Sequence, residues 1–255
     1  MPNFHKQRVA KRVIKIIFTL FIVAVNALLL WRVFFSTALP DKIEDLEPNA
    51  PLAAAYLQHG DQLQVRYQNN FTTTYGTENA GYFSNAEAVF ITEANQVQVV
   101  IRYPNSTLEN LQKDYALPEK PDKALDWFDF SLVKTTDLTP SIKEDNLDES
   151  TLSFQRILPT TVTRDESSLY TFYRLTFDGV TVEELTAEEK QIIADGGEVK
   201  TNHTIGIFLD VFYLGDVNYD AKPYGTLCIY DCEMPWETRA LSGDEKESFV
   251  NFPIS

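Results

Sequence analysis

Asp216, Asn218 and Asp220 place three oxygen-bearing side chains at alternate positions of the run DVNYD, which is how a calcium-binding loop begins. The run then leaves that pattern. Ala221 stands where such a loop needs glycine, and Leu227 where it needs a bidentate glutamate. Asp and Asn are also what a tight connection prefers, because their side chains bond nearby backbone. Plain turn chemistry is the expected reading here, and calcium the alternative.

Asp210 is the one carboxylate within IGIFLDVFYL, on the same strand face as Phe208 and Phe212. Burying a carboxylate penalises its charged form, a device that acid catalysts use, and catalysis then requires a partner. His203 and Asp216 are the nearest in sequence. The alternative is a structural Asp at a sheet edge or paired with an arginine such as Arg174. Histidine is scarce: His5 precedes the long apolar run, leaving His59 and His203 for everything after it. That is too few for a multi-histidine zinc site without carboxylates. The chain has no G-x-S-x-G elbow, H-E-x-x-H helix or phosphate-cradling glycine loop.

The two cysteines, Cys228 and Cys232, flank Ile229-Tyr230-Asp231. On one extended strand their Cα atoms would be about 13 Å apart, beyond disulfide reach, so a bridge requires a bend at Tyr230-Asp231. A small-loop disulfide and two free thiols are both open. Tyr219, Tyr224 and Trp236 gather near the C-terminal turn, as in a sugar-stacking platform, although ordinary cores and their rims look the same. N-x-S/T sites occur at Asn70, Asn105 and Asn202 and carry meaning only in a glycosylating host.

The elements that must position these groups begin with Ile16 to Ala38. This run is long enough to cross a hydrocarbon core as one helix, with Asn26 in its middle and Arg32 placed to snorkel. Lys6, Arg8, Lys11, Arg12 and Lys15 precede it with no acidic residue, so the positive-inside bias puts the N-terminus in the cytoplasm. Ser36-Thr37-Ala38 would also suit a signal peptidase, which keeps the topology and loses the anchor. The apolar run continues past Trp31-Arg32 through Phe35, and this favours an uncleaved anchor.

From Val33 onward the basic side chains number 22 minus 6, or 16, against 37 acidic ones, a formal charge of −21. Such a charge disfavours nucleic acid, whose phosphates would be repelled, and leaves cations, basic proteins and neutral glycans open as partners. About 215 residues follow the span, enough for one domain with a real apolar core.

Residues 39–50 read as an acidic, proline-punctuated stalk. Pro51 to Gly60 reads as a short helix with Leu52, Tyr56 and Leu57 turned inward. Leu63, Val65 and Tyr67 alternate with polar residues as a strand does. A hairpin follows, from Ala88 to Ile91 and from Val97 to Tyr103, with its turn at Glu93 to Asn95. Ser106 and Glu109 have capping-box spacing ahead of a helix through Leu108, Leu111 and Tyr115. Trp127 to Val133 is a strand, and Thr135 to Thr151 an acidic surface loop.

In the second half, strands are expected at Leu152 to Leu158, Leu169 to Phe177 and, across an Asp178-Gly179 hairpin turn, Val180 to Val182. Thr186 and Glu189 form another capping box, on a helix ending at Gly196-Gly197. Ile205 to Leu214 is apolar on both faces, as a central strand is, and Gly225 to Tyr230 closes the set. Strands joined by short turns, with few helices, favour antiparallel packing. The expected fold is mainly β: an antiparallel β-sandwich with two or three short helical insertions, preceded by one transmembrane helix.

The domain order is then a basic tail (1–15), a membrane helix (16–38), a stalk (39–50) and an extracytoplasmic β-rich domain (51–255). The functional expectation is a membrane-anchored, non-catalytic interaction or structural module of the cell envelope, with the membrane and another envelope protein as partners. The alternatives are a membrane-tethered hydrolase using carboxylates, Asp210 foremost, and a calcium- or glycan-binding sensor.

Overall fold

A computed structural model describes residues 3–68, 83–106, 128–136, 154–197, 199, 202–213 and 225–253. It is mainly β, with two antiparallel sheets and few helices. The N-terminal helix α1 runs Asn3–Thr37, and its segment Arg12–Trp31 is long and apolar enough to cross a membrane. All side chains of residues 12–31 are exposed.

The strands are β1 (Val65–Tyr67), β2 (Ser84–Ile91), β3 (Gln96–Pro104), β4 (Phe128–Thr135), β5 (Phe154–Ile157), β6 (Thr161–Glu166), β7 (Tyr170–Asp178), β8 (Gly206–Tyr213), β9 (Gly225–Asp231) and β10 (Glu237–Arg239). A six-stranded sheet has the order β10-β1-β2-β3-β7-β6, and a four-stranded sheet β5-β4-β8-β9. The β2–β3 hairpin forms as expected. Its 3-10 turn Thr92–Ala94 is closed by Asn95 at φ 47°, a left-handed conformation that Asn tolerates better than most residues. Strand β8 lies between β4 and β9, in accord with its two apolar faces.

Odd-numbered residues of β3 and β7, among them Val97, Val99, Ile101, Tyr173 and Leu175, turn inward. They share one buried cluster with Phe130, Leu132, Leu209, Val211 and Ile229 of the other sheet. The rings of Phe130 and Tyr173 lie 5.0 Å apart, and those of Tyr103 and Phe128 5.1 Å, near edge-to-face.

The opposite face of the six-stranded sheet is covered by α2 (Asp41–Glu44), α3 (Ala50–His59) and a C-terminal helix. Leu46, Leu52, Leu63, Val65, Val89, Ile91, Leu241 and Phe249 are buried together there, and Ile43 packs with Val100 and Phe172. Asn49 caps α3, its side chain accepting from the Leu52 N–H at 3.0 Å.

Several expectations change. Residues 39–49, read as a stalk, are docked on the sheet, with Ile43 and Leu46 fully buried because the run supplies exactly the apolar side chains that cover Val100 and Val89. Leu57 is exposed, since α3 turns Leu52, Ala53 and Ala55 inward instead. Val180 to Val182 forms no strand: the Val180 N–H bonds the Asn95 carbonyl, so the chain leaves the sheet after Gly179, and β7 is flanked by β3 and β6. Strands β6 and β10 and the C-terminal helix are additional. The expected helix at Leu108 to Tyr115 lies outside the described residues, as does the expected loop from Thr135 to Thr151 beyond residue 136; Thr135 itself is the last residue of β4.

The capping box of Thr186 and Glu189 is present on α4 (Ala187–Ala194). A second one, Ser242 with Glu245, opens α5 (Gly243–Val250).

Candidate functional site

The largest polar constellation among the described residues lies on the helix-covered face of the six-stranded sheet. Even-numbered positions of β3 and β7 bring Gln96, Gln98, Arg174 and Asp178 to that face, in neighbouring rows fixed by the pairings Gln96↔Asp178 and Val100↔Arg174. Arg174 is 1% exposed. Its Nε donates to the Ile43 carbonyl at 3.0 Å, Nη2 donates to the carbonyls of Ile43 and Glu44, and Nη1 donates to Gln98 Oε1 at 3.2 Å. Burial lowers the Arg174 pKa from its ordinary value, and Glu87, whose carboxylate is 3.4 Å away, opposes that shift.

Gln98 carries the network onward. Its side-chain amide makes a two-bond pair with the backbone of Glu47, accepting from the N–H at 2.8 Å and donating to the carbonyl at 2.9 Å. It also donates to Gln96 Oε1, and Gln96 donates to Asn49 Oδ1 and Asp178 Oδ1. The chain of bonds therefore runs from the buried guanidinium to the cap of α3.

A second arm runs through Glu87 and Arg239 to Glu245. Arg239 meets both oxygens of Glu245 at 2.8 Å, and Glu245 also accepts from the N–H groups of Ser242 and Leu46. Burial alone would raise the Glu245 carboxyl, but the Arg239 guanidinium and the backbone donors outweigh it and hold the pKa below its ordinary value. Every member is engaged within the protein. Such an arrangement fixes residues 43–49 against the sheet.

Asp210 is 6% exposed and lies opposite Ser131 of β4 and Thr226 of β9. The Thr226 hydroxyl donates to it at 2.7 Å, and Arg156 approaches it at 3.8 Å while donating to the Ser131 hydroxyl at 3.2 Å. The arginine that pairs with it is thus Arg156; Arg174 belongs to the other sheet. His203, weighed as a catalytic partner, instead meets Glu189 at 3.1 Å. His59 sits in the last turn of α3. An anion already engaged by a hydroxyl donor and a cation suits structural pairing better than proton transfer.

Cys228 and Cys232 are both buried free thiols. Strand β9 runs through Asp231 with a bulge at Ile229 between Cys228 and Tyr230, and the two thiols are left unbridged. Burial pushes the thiols up to about 12 and about 11, values that suit packing and not nucleophilic attack at neutral pH. Trp236 stacks on Tyr230 at 5.1 Å and lies under the Arg66 guanidinium at 4.2 Å, at the rim of the core. Asp216, Asn218, Asp220, Tyr219 and Tyr224 lie outside the described residues. Among the described residues no cluster of three His, Cys, Asp or Glu side chains is arranged to hold a metal ion.

Sequence reasoning treats Arg174 only as a possible partner of Asp210 and passes over Gln96, Gln98 and Glu245. A signal exists: Gln96, Gln98, Arg174 and Asp178 fall on the even-numbered face of two strands whose odd-numbered positions are largely apolar. No family model, curated protein or solved structure matches the chain.

Proposed function

We propose that this is a single-pass membrane protein whose basic N-terminal residues stay in the cytoplasm and whose acidic β-sandwich lies beyond the far leaflet. The sandwich acts as a non-catalytic interaction or structural module of the cell envelope. The positive-inside bias of residues 1–15 supports the orientation.

The observation that carries this reading is the grip of Arg174 and Gln98 on residues 43–47. Only Ala38, Leu39 and Pro40 separate α1 from α2, a reach of about 13 Å from Thr37 to Asp41 even when extended. The domain therefore sits close against the bilayer in a restricted orientation, as suits a component that meets its neighbours at the membrane surface.

The test combines protease protection in intact cells with crosslinking in native membranes and identification of the captured proteins. The expected result is a cleavable domain on the outside and a reproducible envelope neighbour. A protected domain would overturn the topology. The absence of any neighbour, together with turnover of a small substrate by the chain, would overturn the module.

A further inference from the structure

We infer that α1 pairs in parallel with α1 of a second copy along a seam formed by Thr19, Ile22, Asn26 and Leu29, with the two Asn26 amides bonded to each other. This rests on the reading that α1 spans the bilayer.

Asn26 is at the middle of Ile16 to Ala38, where lipid supplies no hydrogen bond and a polar side chain seeks a protein partner. Among the described residues its amide makes one hydrogen bond, from Nδ2 to the Ile22 carbonyl of its own helix at 2.8 Å. A side-chain amide has two donors and a carbonyl acceptor, so Oδ1 and one N–H remain to be satisfied.

Thr19 lies seven residues earlier, two helical turns away on the same face, and its hydroxyl bonds the Lys15 carbonyl. Residues 19, 22, 26 and 29 follow the alternating three- and four-residue steps of a two-helix seam, in which a single Asn fixes register. Among the described residues, none buries residues 12–31.

The occupant follows from complementarity. An amide presents donor and acceptor together, so a parallel copy at the same depth presents the matching pair, and insertion in one orientation makes copies parallel. Membrane helix pairs of this kind gain close packing along with the polar contact.

The test uses the full chain reconstituted in phosphatidylcholine vesicles. Leu29→Cys, on the seam, should give an oxidised dimer with copper–phenanthroline, and Leu28→Cys, on the opposite side, should not. Energy transfer between labelled copies should report association weakened about 3- to 30-fold by Asn26→Val and restored by Asn26→Gln. A monomer, a dimer crosslinked through Leu28→Cys, or an Asn26→Val chain that associates unchanged would overturn the seam while leaving the membrane span standing. Association of α1 only with a different membrane protein would do the same. A mature chain that lacks residues 1–38 by mass spectrometry would overturn the membrane span itself, and the seam with it.

Discussion

Arg174 and Ile43 lie 131 residues apart in sequence and are joined by one guanidinium that donates twice to a single backbone carbonyl. Through this contact α2, which follows α1 in the chain, is fastened onto a sheet assembled from the middle of the chain. Arg174→Leu takes the guanidinium donor from the Ile43 and Glu44 carbonyls and one of two donors from Gln98 Oε1, which keeps the Glu47 N–H. The expected cost is about 3–5 kcal/mol, as for other broken buried charged networks. Urea unfolding of the detergent-solubilised chain measures it, and trypsin should cut early at Lys42. An Arg174→Leu chain with an unchanged midpoint and an uncut Lys42 would refute the clamp.

The Arg239–Glu245 pair makes stability depend on acid. Because the folded Glu245 carboxyl titrates below its ordinary value near 4.5, its contribution is complete above that value and is lost as pH falls through the folded one. Glu245→Gln should be less stable at neutral pH and should decline less steeply than the parent on acidification. Denaturation midpoints followed down to about pH 3 decide the matter, parallel slopes being the contrary result.

The buried thiols give a chemical readout. In the native chain at mildly alkaline pH, Cys228 and Cys232 should react slowly with Ellman's reagent, since both thiols are raised well above the ordinary value of 9.0. In denaturant both should react at once without reductant. Failure to titrate until reductant is added would reveal a bridge.

Asp210→Ala leaves the Thr226 hydroxyl and the Arg156 guanidinium without their shared acceptor. The expected loss is about 1–3 kcal/mol in a urea midpoint. Asp210→Asn keeps an acceptor for Thr226 and should lose less; equal losses would assign the effect to the charge alone.

Elements whose patterns are local were readable from the amino acids alone. The β2–β3 hairpin, the doubly apolar β8 and the Thr186–Glu189 cap each declare themselves within a few residues. Strand β6 does not, because TVTRDE is an edge strand with partly exposed positions and no clean alternation. Strand β10 has three residues and exists through its pairing with β1. Ser242 and Glu245 have the same spacing as the cap on α4, yet the helix after them carries little apolar periodicity, since Phe249 alone is its buried apolar anchor.

The missed network has a similar cause. Ile43 and Leu46 look unremarkable among charged neighbours until the sheet supplies Val100, Phe172 and Val89 to cover them. Conversely, Asp178-Gly179 has good hairpin residues and makes a turn without a hairpin, because Val180 bonds Asn95 instead of a strand partner. Turn propensity specifies a change of direction, and distant residues choose the destination.

The pairing of β1 with β10 and the bond from the Leu46 N–H to Glu245 tie the first folded residues to nearly the last. A ribosome delivers those ends many seconds apart, at about 5–20 residues per second. The nascent polypeptide must therefore wait for residues 237–239 before β1 gains its second neighbour, and a stop codon placed before Glu237 would release a body with that border left bare.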